Sequence, residues 1–230
     1  LRAPTVDADG NVIPNGTGKI TGGYTTSNWG GAITVGGNDD HMLATVDIQG
    51  GNIVGNRSSG NYSAGAIQMW QGSRVSIKNA NISENTCSGT ASSAILAYYS
   101  TSSDSLTVDR SVFVKNNDSN YVISSYEVGL RITNCKFIET LGGYIIRFTS
   151  GIEDKTAYIE NIEILDCNGG IVINNGSSEL KNVLIDGCEY VNGFGIMLGD
   201  STGSVVANVH ASGLRVKNIS SNVGSVSGFY

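Results

Sequence analysis

An eleven-residue unit that returns along the chain without gaps limits the possible folds more than any other feature. Residues 46–56 align position by position with residues 75–85. The same frame returns at residues 106–116, 130–140, 157–167, 178–188 and 204–214. Repeats separated by 21 to 31 residues are typical of a solenoid, in which each repeat forms one coil.

Two apolar columns flank one corner position of the repeat. The corner residues are Gly50, Asn79, Arg110, Asn134, Asn161, Asn182 and Asn208. Two positions earlier lie Ile48, Ile77, Val108, Ile132, Ile159, Leu180 and Val206. Three positions later lie Ile53, Ile82, Phe113, Phe137, Ile164, Ile185 and Ala211. Polar residues such as Lys78 and Thr133 alternate with these columns, which indicates strands with one face inside.

A further short strand is predicted between successive units. These segments are residues 32–35, 66–69, 94–97, 121–123, 144–146, 171–173 and 195–198. Three short strands per coil cannot bury their inner faces or satisfy their backbones alone. Stacking about 4.8 Å apart supplies both the core and the hydrogen bonds.

The pattern predicts a pectate-lyase-like solenoid, a right-handed parallel β-helix of about seven coils. Leucine-rich repeats would show a fixed leucine framework, and hexapeptide helices would show a strict six-residue period. We expect residues 1–29 to form an N-terminal cap and lead-in segment, and residues 30–230 to form the β-helix of a single domain. We also expect the natural chain to be longer, or another copy to cover the end at Tyr230.

Composition agrees with many strands and turns and excludes some functions. Gly accounts for 31 of 230 residues, Pro for 2, and charged residues for 15%. The formal net charge of -6, without Lys/Arg clusters, argues against nucleic acid as a partner. No apolar run is long enough to span a membrane, so we expect no membrane insertion of this segment.

Asparagine and cysteine columns have structural interpretations. Asn dominates the corner, and Asn56, Asn85 and Asn116 form a second column; Asn tolerates left-handed turns and can bond to the next coil. Cys167 and Cys188 share one register in adjacent coils, so a disulfide and two buried free thiols both fit. No zinc-like spacing occurs, and we predict no metal and no cofactor.

An aromatic column suggests a binding site. Trp70, Tyr98 and Tyr126 follow the inward isoleucines of three consecutive first strands by three positions, so they are predicted to point outward. Such rings offer flat faces to sugars, and Gln68 and Ser124 beside them would supply hydrogen bonds. The alternative is that the long turn after each strand folds back over the rings.

Catalytic residues are hard to identify. β-Helical lyases and hydrolases need clustered outward carboxylates. Here Asp39, Asp40, Glu127 and Asp200 lie near the ends of first strands without a common register. We therefore predict no catalytic residue.

Two tetrapeptides resemble known repeats. Residues 30–33 (Gly-Gly-Ala-Ile) and 113–116 (Phe-Val-Lys-Asn) match motifs of the β-helical passenger regions of bacterial surface proteins, which include polymorphic outer-membrane proteins. Residues 18–23 and 50–56 resemble repeats of large Gram-positive surface proteins. The resemblance implies a β-helical fold and a location at the cell surface or outside the cell.

The sequence favours a non-catalytic, adhesin-like module that presents a lateral face to a glycan or to a host or cell-surface protein. Two alternatives remain open. One is a polysaccharide lyase, hydrolase or tailspike-like depolymerase, and the other is a structural spacer.

Overall fold

The chain folds into an all-β parallel β-solenoid, which confirms the predicted fold class. The computed structural model describes residues 5–6, 12–13, 18–36, 44–89, 91–98, 104–117, 120–141, 143–151, 155–190, 194–199, 207–221 and 227–229. Within these ranges the secondary structure consists of strands, and no helix is present.

Three parallel sheets surround the interior. The first sheet comprises Ile33–Val35, Ile67–Met69, Ser92–Tyr98, Tyr121–Tyr126, Tyr144–Thr149, the start of Ile171–Asp186, Phe194–Leu198 and Ser227–Phe229. The second comprises Ala44–Gln49, Ser73–Lys78, Ser105–Asp109, Gly129–Thr133, the first half of Thr156–Leu165, the middle of Ile171–Asp186, and Ala207–Ser212. The third comprises Lys19–Thr21, Asn52–Val54, Asn81–Ser83, Val112–Val114, Lys136–Ile138, the ends of Thr156–Leu165 and Ile171–Asp186, and Arg215–Lys217.

Short strands extend this framework beyond what the repeat predicts. Tyr24–Thr25, Arg57–Ser58 and Thr86–Cys87 form a narrow parallel sheet after the third sheet, and Glu189–Tyr190 pairs with Ser220–Ser221. Thr5–Val6 pairs antiparallel with Val12–Ile13. Lys19–Thr21 already pairs with Asn52–Val54, so the third sheet begins inside the segment that was predicted as a cap. The predicted domain boundary at residue 29 stays a prediction.

The strands pair in the register that the apolar columns predict. In the second sheet Ile77 lies between Ile48 and Val108, and all three side chains face the interior. The two largest side chains of the third sheet, Phe113 and Phe137, are fully buried and stack with ring centroids 4.7 Å apart. Stacking identical positions therefore fills the interior with like side chains from neighbouring coils.

About five turns make up the solenoid, fewer than the seven that were predicted. The outermost rows of the second sheet, Ala44–Gln49 and Ala207–Ser212, hold no fully buried residue. Each of these rows has a described neighbouring strand on one side only. The closed core therefore lies between them.

The predicted register of the last coil was wrong by five residues. Asn208 was expected at the corner, but it pairs with Ser177 inside the second sheet, and Gly213 occupies the corner after Asn182. Val216, not Ala211, then pairs with Ile185. Glycine adopts the left-handed corner conformation as readily as asparagine, so both frames fit the sequence. Val206, the other residue of the predicted frame, lies outside the described residues.

The corner conformation itself is as expected. Asn79, Asn134, Asn161 and Asn182 have φ between 52° and 55°. Along the exposed corner, the Nδ2 of Asn161 donates to the Oδ1 of Asn134 and the Nδ2 of Asn182 donates to the Oδ1 of Asn161, each at 3.0 Å. A second left-handed column at the end of the third sheet includes Glu84 at φ 56°, a residue type from which this conformation is not predicted.

A buried asparagine ladder ties three coils together. The Nδ2 of Asn56 donates to the Oδ1 of Asn85 at 3.0 Å, and the Nδ2 of Asn85 donates to the Oδ1 of Asn116 at 3.0 Å. All three side chains are fully buried. In later coils the same column continues as Thr140, then Cys167 and Cys188.

The cysteines of the chain, Cys87, Cys135, Cys167 and Cys188, are buried free thiols. The disulfide alternative for Cys167 and Cys188 is therefore not the one adopted. Burial raises the pKa of the Cys135 and Cys167 thiols to about 12. These thiols act as small apolar core residues.

The Gly-Gly-Ala-Ile motif has a structural cause in this fold. A side chain at Gly31 would place its Cβ 2.3 Å from the carbonyl oxygen of Gly65, and one at Gly65 would lie 2.2 Å from that of Ser93. The coils approach so closely at this corner that no Cβ fits at either glycine.

Candidate functional site

The predicted aromatic column forms a continuous stack on the outside of the first sheet. Tyr98 pairs with Tyr126 in the strand register. Trp70 directly follows the strand Ile67–Met69, which pairs with the strand that contains Tyr98. The ring centroids lie 5.4 Å apart for Trp70 and Tyr98, and 5.2 Å apart for Tyr98 and Tyr126. We call Trp70, Tyr98 and Tyr126 the aromatic stack; each of its residues is partly exposed.

Two further aromatic residues, Trp29 and Tyr62, enlarge this stack. The Trp29 ring packs edge-on against Trp70 at 6.5 Å, and the Tyr62 ring lies 5.6 Å from Tyr98. Trp29 is 49% exposed and Tyr62 is 52% exposed. Both come from the turn that leads into the first sheet, where no register could be assigned from the sequence. We call the five residues the aromatic cluster.

Gln68 and Ser124 do not lie on an open surface beside the rings, as was expected. Gln68 is 0% exposed, and its Nε2 donates to the carbonyl oxygen of Tyr62 at 3.0 Å. Ser124 is 2% exposed. The turn that carries Tyr62, which precedes the strand, thus contacts the outward side chain of Gln68. The alternative that the turn after each strand folds back over the rings stays a prediction.

The rings of the aromatic stack contact one another, and their offering flat faces to sugars stays a prediction. The Tyr98 ring is tilted by 38° against that of Trp70 and stacks at 29° on that of Tyr126. Contact between rings restricts the orientation of these side chains. The half-exposed rings of Trp29 and Tyr62 are better able to stack on an external partner.

A narrow cleft lies beside the aromatic cluster. It has a volume of about 80 Å³ and is lined by Tyr62, Leu96, Tyr98, Tyr121, Ser124, Tyr126 and Arg147. We call it the tyrosine cleft. Tyr121 stacks on Tyr144 of the next coil at 6.3 Å, so a second row of rings runs opposite the first. Arg147 follows Ser124 in the outward column of the first sheet.

Sequence analysis missed Tyr121 and Arg147 as site residues for different reasons. Arg147 was not singled out, because nothing in its column of the first sheet indicated an aromatic neighbour. Tyr121 begins a strand, and its proximity to Arg147 depends on the path of the preceding turn. The guanidinium carbon of Arg147 lies 4.9 Å from the centroid of the Tyr121 ring.

A wider groove of about 580 Å³ lies on the second sheet; its lining includes Arg74, Asp104, Arg131, Lys155 and Tyr158. Much of its polar lining serves the fold. The carboxylate of Asp104 accepts the backbone N–H groups of Gly72 and Ser73 at 3.0 Å, and the Lys155 Nζ donates to the Asp104 carbonyl oxygen at 3.1 Å. Residues 99–103 and 152–154 lie outside the described residues.

Carboxylates on the outer faces of the second and third sheets pair with cations of neighbouring coils. The pairs are Lys115–Glu139 at 3.2 Å, Lys136–Glu163 at 2.9 Å, Lys181–Glu160 at 3.1 Å and Lys217–Asp186 at 3.0 Å. Each such exposed ion pair contributes little to the stability of the fold. The pairs place opposite charges side by side on neighbouring coils.

The acidic residues considered for catalysis are not assembled into a described site. Glu127 follows Tyr126 in a left-handed turn with φ 58°. Asp39, Asp40 and Asp200 lie outside the described residues. Among the residues that the structure covers, no group of three or more His, Cys, Asp or Glu side chains is arranged to hold a metal ion. The described part of the chain also contains no helix long and apolar enough to cross a membrane.

The fold and this face define the chain as a parallel β-solenoid with an aromatic cluster along one side. Comparison with known proteins adds no relative: no family model, no curated protein and no solved structure matches the chain.

Proposed function

We propose that this chain is a non-catalytic, adhesin-like module that binds glycans through the aromatic cluster on its first sheet. The observation that carries the proposal is the gathering of five aromatic side chains on one outer face, with Trp29 and Tyr62 each about half exposed. Exposed aromatic groups held in a fixed orientation are suited to contact the apolar faces of sugar rings.

The solenoid favours such binding because it holds the rings rigid before a ligand arrives. Each ring of the aromatic stack belongs to a different coil, and the coils are joined by backbone hydrogen bonds. Little side-chain freedom is then lost on binding, which lowers the entropic cost of association. The repeated spacing also allows a chain-like ligand to contact several coils at once.

A location at the bacterial cell surface or in the extracellular medium is part of the proposal. Its support is the resemblance of residues 30–33 and 113–116 to motifs of β-helical surface proteins. A glycan or a glycosylated host or cell-surface protein is the corresponding partner.

A glycan array tests the proposal, with Trp29→Ala and Tyr62→Ala as the variants. We expect the chain to bind a subset of glycans and each variant to lose most of that signal. Tyr24→Ala is the matched control. Tyr24 is 65% exposed, but it belongs to the narrow sheet that follows the third sheet and not to the aromatic cluster.

Three results would overturn the proposal. Absence of binding to every glycan would leave the spacer alternative, and chain shortening of a bound polysaccharide would favour the depolymerase alternative. Binding that survives both cluster substitutions would place the glycan site elsewhere.

A further inference from the structure

We propose that the tyrosine cleft selects acidic glycans, with Arg147 pairing with the carboxylate of a sugar residue. This inference rests on the proposed glycan-binding function and names the class of ligand. The exposed rings of Trp29 and Tyr62 would hold neutral and acidic sugars alike, whereas the cleft, which Tyr62 also lines, adds the charge of Arg147.

The cleft separates two rows of rings that come from different parts of each coil. Tyr98 and Tyr126 lie at the ends of first-sheet strands. Tyr121 begins its first-sheet strand, and Tyr62 comes from the turn before that sheet. Leu96, a buried residue, also contributes to the lining. A volume of about 80 Å³ accommodates several water molecules or the carboxylate end of a sugar, but not a whole disaccharide.

Arg147 brings a positive charge that nothing in the described structure compensates. Its guanidinium carbon lies over the Tyr121 ring at 4.9 Å, and the residue makes no ion pair with any described carboxylate. Its Nε–H group is buried and has no hydrogen-bond partner among the described residues. A partly desolvated cation of this kind gains free energy when an anion from outside pairs with it.

The chemistry of the site favours a carboxylate. Stacking on Tyr121 occupies one face of the planar guanidinium and leaves its in-plane N–H groups as donors, which match a carboxylate in a bidentate arrangement. The hydroxyl of Ser124, in the neighbouring coil, forms no hydrogen bond with another described residue and offers a second polar contact in the same cleft. The surrounding rings exclude water, which strengthens the ion pair.

The test compares matched acidic and neutral ligands by isothermal titration calorimetry. The probes are galacturonic acid and glucuronic acid oligosaccharides, the same oligosaccharides after carboxyl reduction, and a sulfated oligosaccharide that lacks carboxylates. We expect at least one acidic probe to bind about tenfold or more tightly than its reduced counterpart, as a charge-assisted hydrogen bond implies. The preference should shrink in about 1 M salt, where the Debye length is about 3 Å.

Arg147→Gln should bring the affinity for the acidic probe to about that for the neutral probe, so the tenfold ratio between the two is lost. Arg131→Gln is the matched control, because Arg131 stacks on Tyr158 at 5.5 Å in the same manner but on the second sheet. The control should keep the full preference for the acidic probe.

The outcomes separate this inference from the proposed function. Equal binding of acidic and reduced probes, or an unchanged preference in Arg147→Gln, overturns the acidic-glycan inference and leaves glycan binding standing. Equal or tighter binding of the sulfated probe overturns the assignment to a carboxylate. Absence of binding to every probe, together with an empty glycan array, overturns both.

Discussion

Replacing Asn85 with alanine tests how far the buried asparagine ladder holds the coils together. The Asn85 Oδ1 accepts the backbone N–H and the Nδ2 of Asn56, each at 3.0 Å, and its Nδ2 donates to the Ile53 carbonyl oxygen at 2.9 Å and to the Asn116 Oδ1 at 3.0 Å. Alanine removes all four bonds. The Asn56 Nδ2 keeps a bond to the Ile20 carbonyl oxygen, and the Asn116 Oδ1 keeps the bond from the backbone N–H of residue 85.

Two groups lose the partner that Asn85 supplies, the backbone N–H of Asn56 and one carbonyl acceptor site at Ile53. A buried polar group left without its hydrogen bond costs about 1–3 kcal/mol, so Asn85→Ala should lower the free energy of unfolding by about 2–6 kcal/mol. The backbone of residue 85 does not have a positive φ, so alanine adds no strain there.

Urea unfolding followed by far-UV circular dichroism measures this loss, and hydrogen exchange of the Asn56 amide locates it. Asn161→Gly is the control, because Asn161 belongs to the exposed corner column, its side chain bonds to the amides of Asn134 and Asn182, and glycine keeps its left-handed conformation. We expect the control to change stability by about 1 kcal/mol or less. A loss for Asn85→Ala no larger than that of the control, or unchanged protection of the Asn56 amide, would refute the reasoning.

Three other predictions concern the stability and burial of residues in the stacked coils. Glu84→Gly should stabilise the fold by about 1 kcal/mol in the same urea assay, because glycine relieves a left-handed φ of 56°, and a loss of stability would contradict this. Cys135 and Cys167, with pKa values of about 12, should resist alkylation by iodoacetamide at neutral pH until the chain unfolds; rapid labelling of the native protein would contradict their burial. Burial acts to raise the pKa of Asp109, but hydrogen bonds from Asn134, Thr133 and Arg110 hold it below the ordinary value. The ionised Asp109 carboxylate should therefore stabilise the fold above about pH 4, and this stabilisation should disappear as the pH falls through the lowered pKa. The free energies of unfolding of wild type and Asp109→Asn, measured against pH, should converge in acid. A constant difference between the two would contradict this prediction.

The core of the fold was predictable because one physical constraint acts at every coil. A residue that faces the interior of a stacked strand has the same neighbours above and below, so apolar character recurs at equivalent positions such as Ile48, Ile77 and Val108. The corner asparagines were predictable for a similar reason, since few residue types accept a left-handed φ.

Two features could not be read from the same pattern. The last coil was assigned to the wrong frame because Gly213 and Asn208 both satisfy the corner requirement, and only pairing with Asn182 distinguishes them. Positive φ at Glu84 is imposed by the coil path, not by the preference of glutamate. Stacking with neighbouring coils overrides local propensity at both positions.

The candidate site was only partly predictable. Strand register places Tyr98 beside Tyr126, and this follows from the repeat. The positions of Trp29, Tyr62 and Tyr121 depend on turns of variable length, which carry no periodic signal. Whether rings meet a ligand with their faces or their edges depends on side-chain packing, which the spacing of residues does not specify.

Intrinsic fluorescence offers the most direct measurement of the central claim that the aromatic cluster binds glycans. The chain has 2 tryptophans, Trp29 and Trp70, and both belong to the cluster. Titration with the glycan that binds best on the array should change the tryptophan emission along a saturating curve, with the same dissociation constant as calorimetry gives, and Tyr62→Ala should weaken both signals together. Calorimetric binding with unchanged tryptophan emission and full affinity in Tyr62→Ala would contradict the claim.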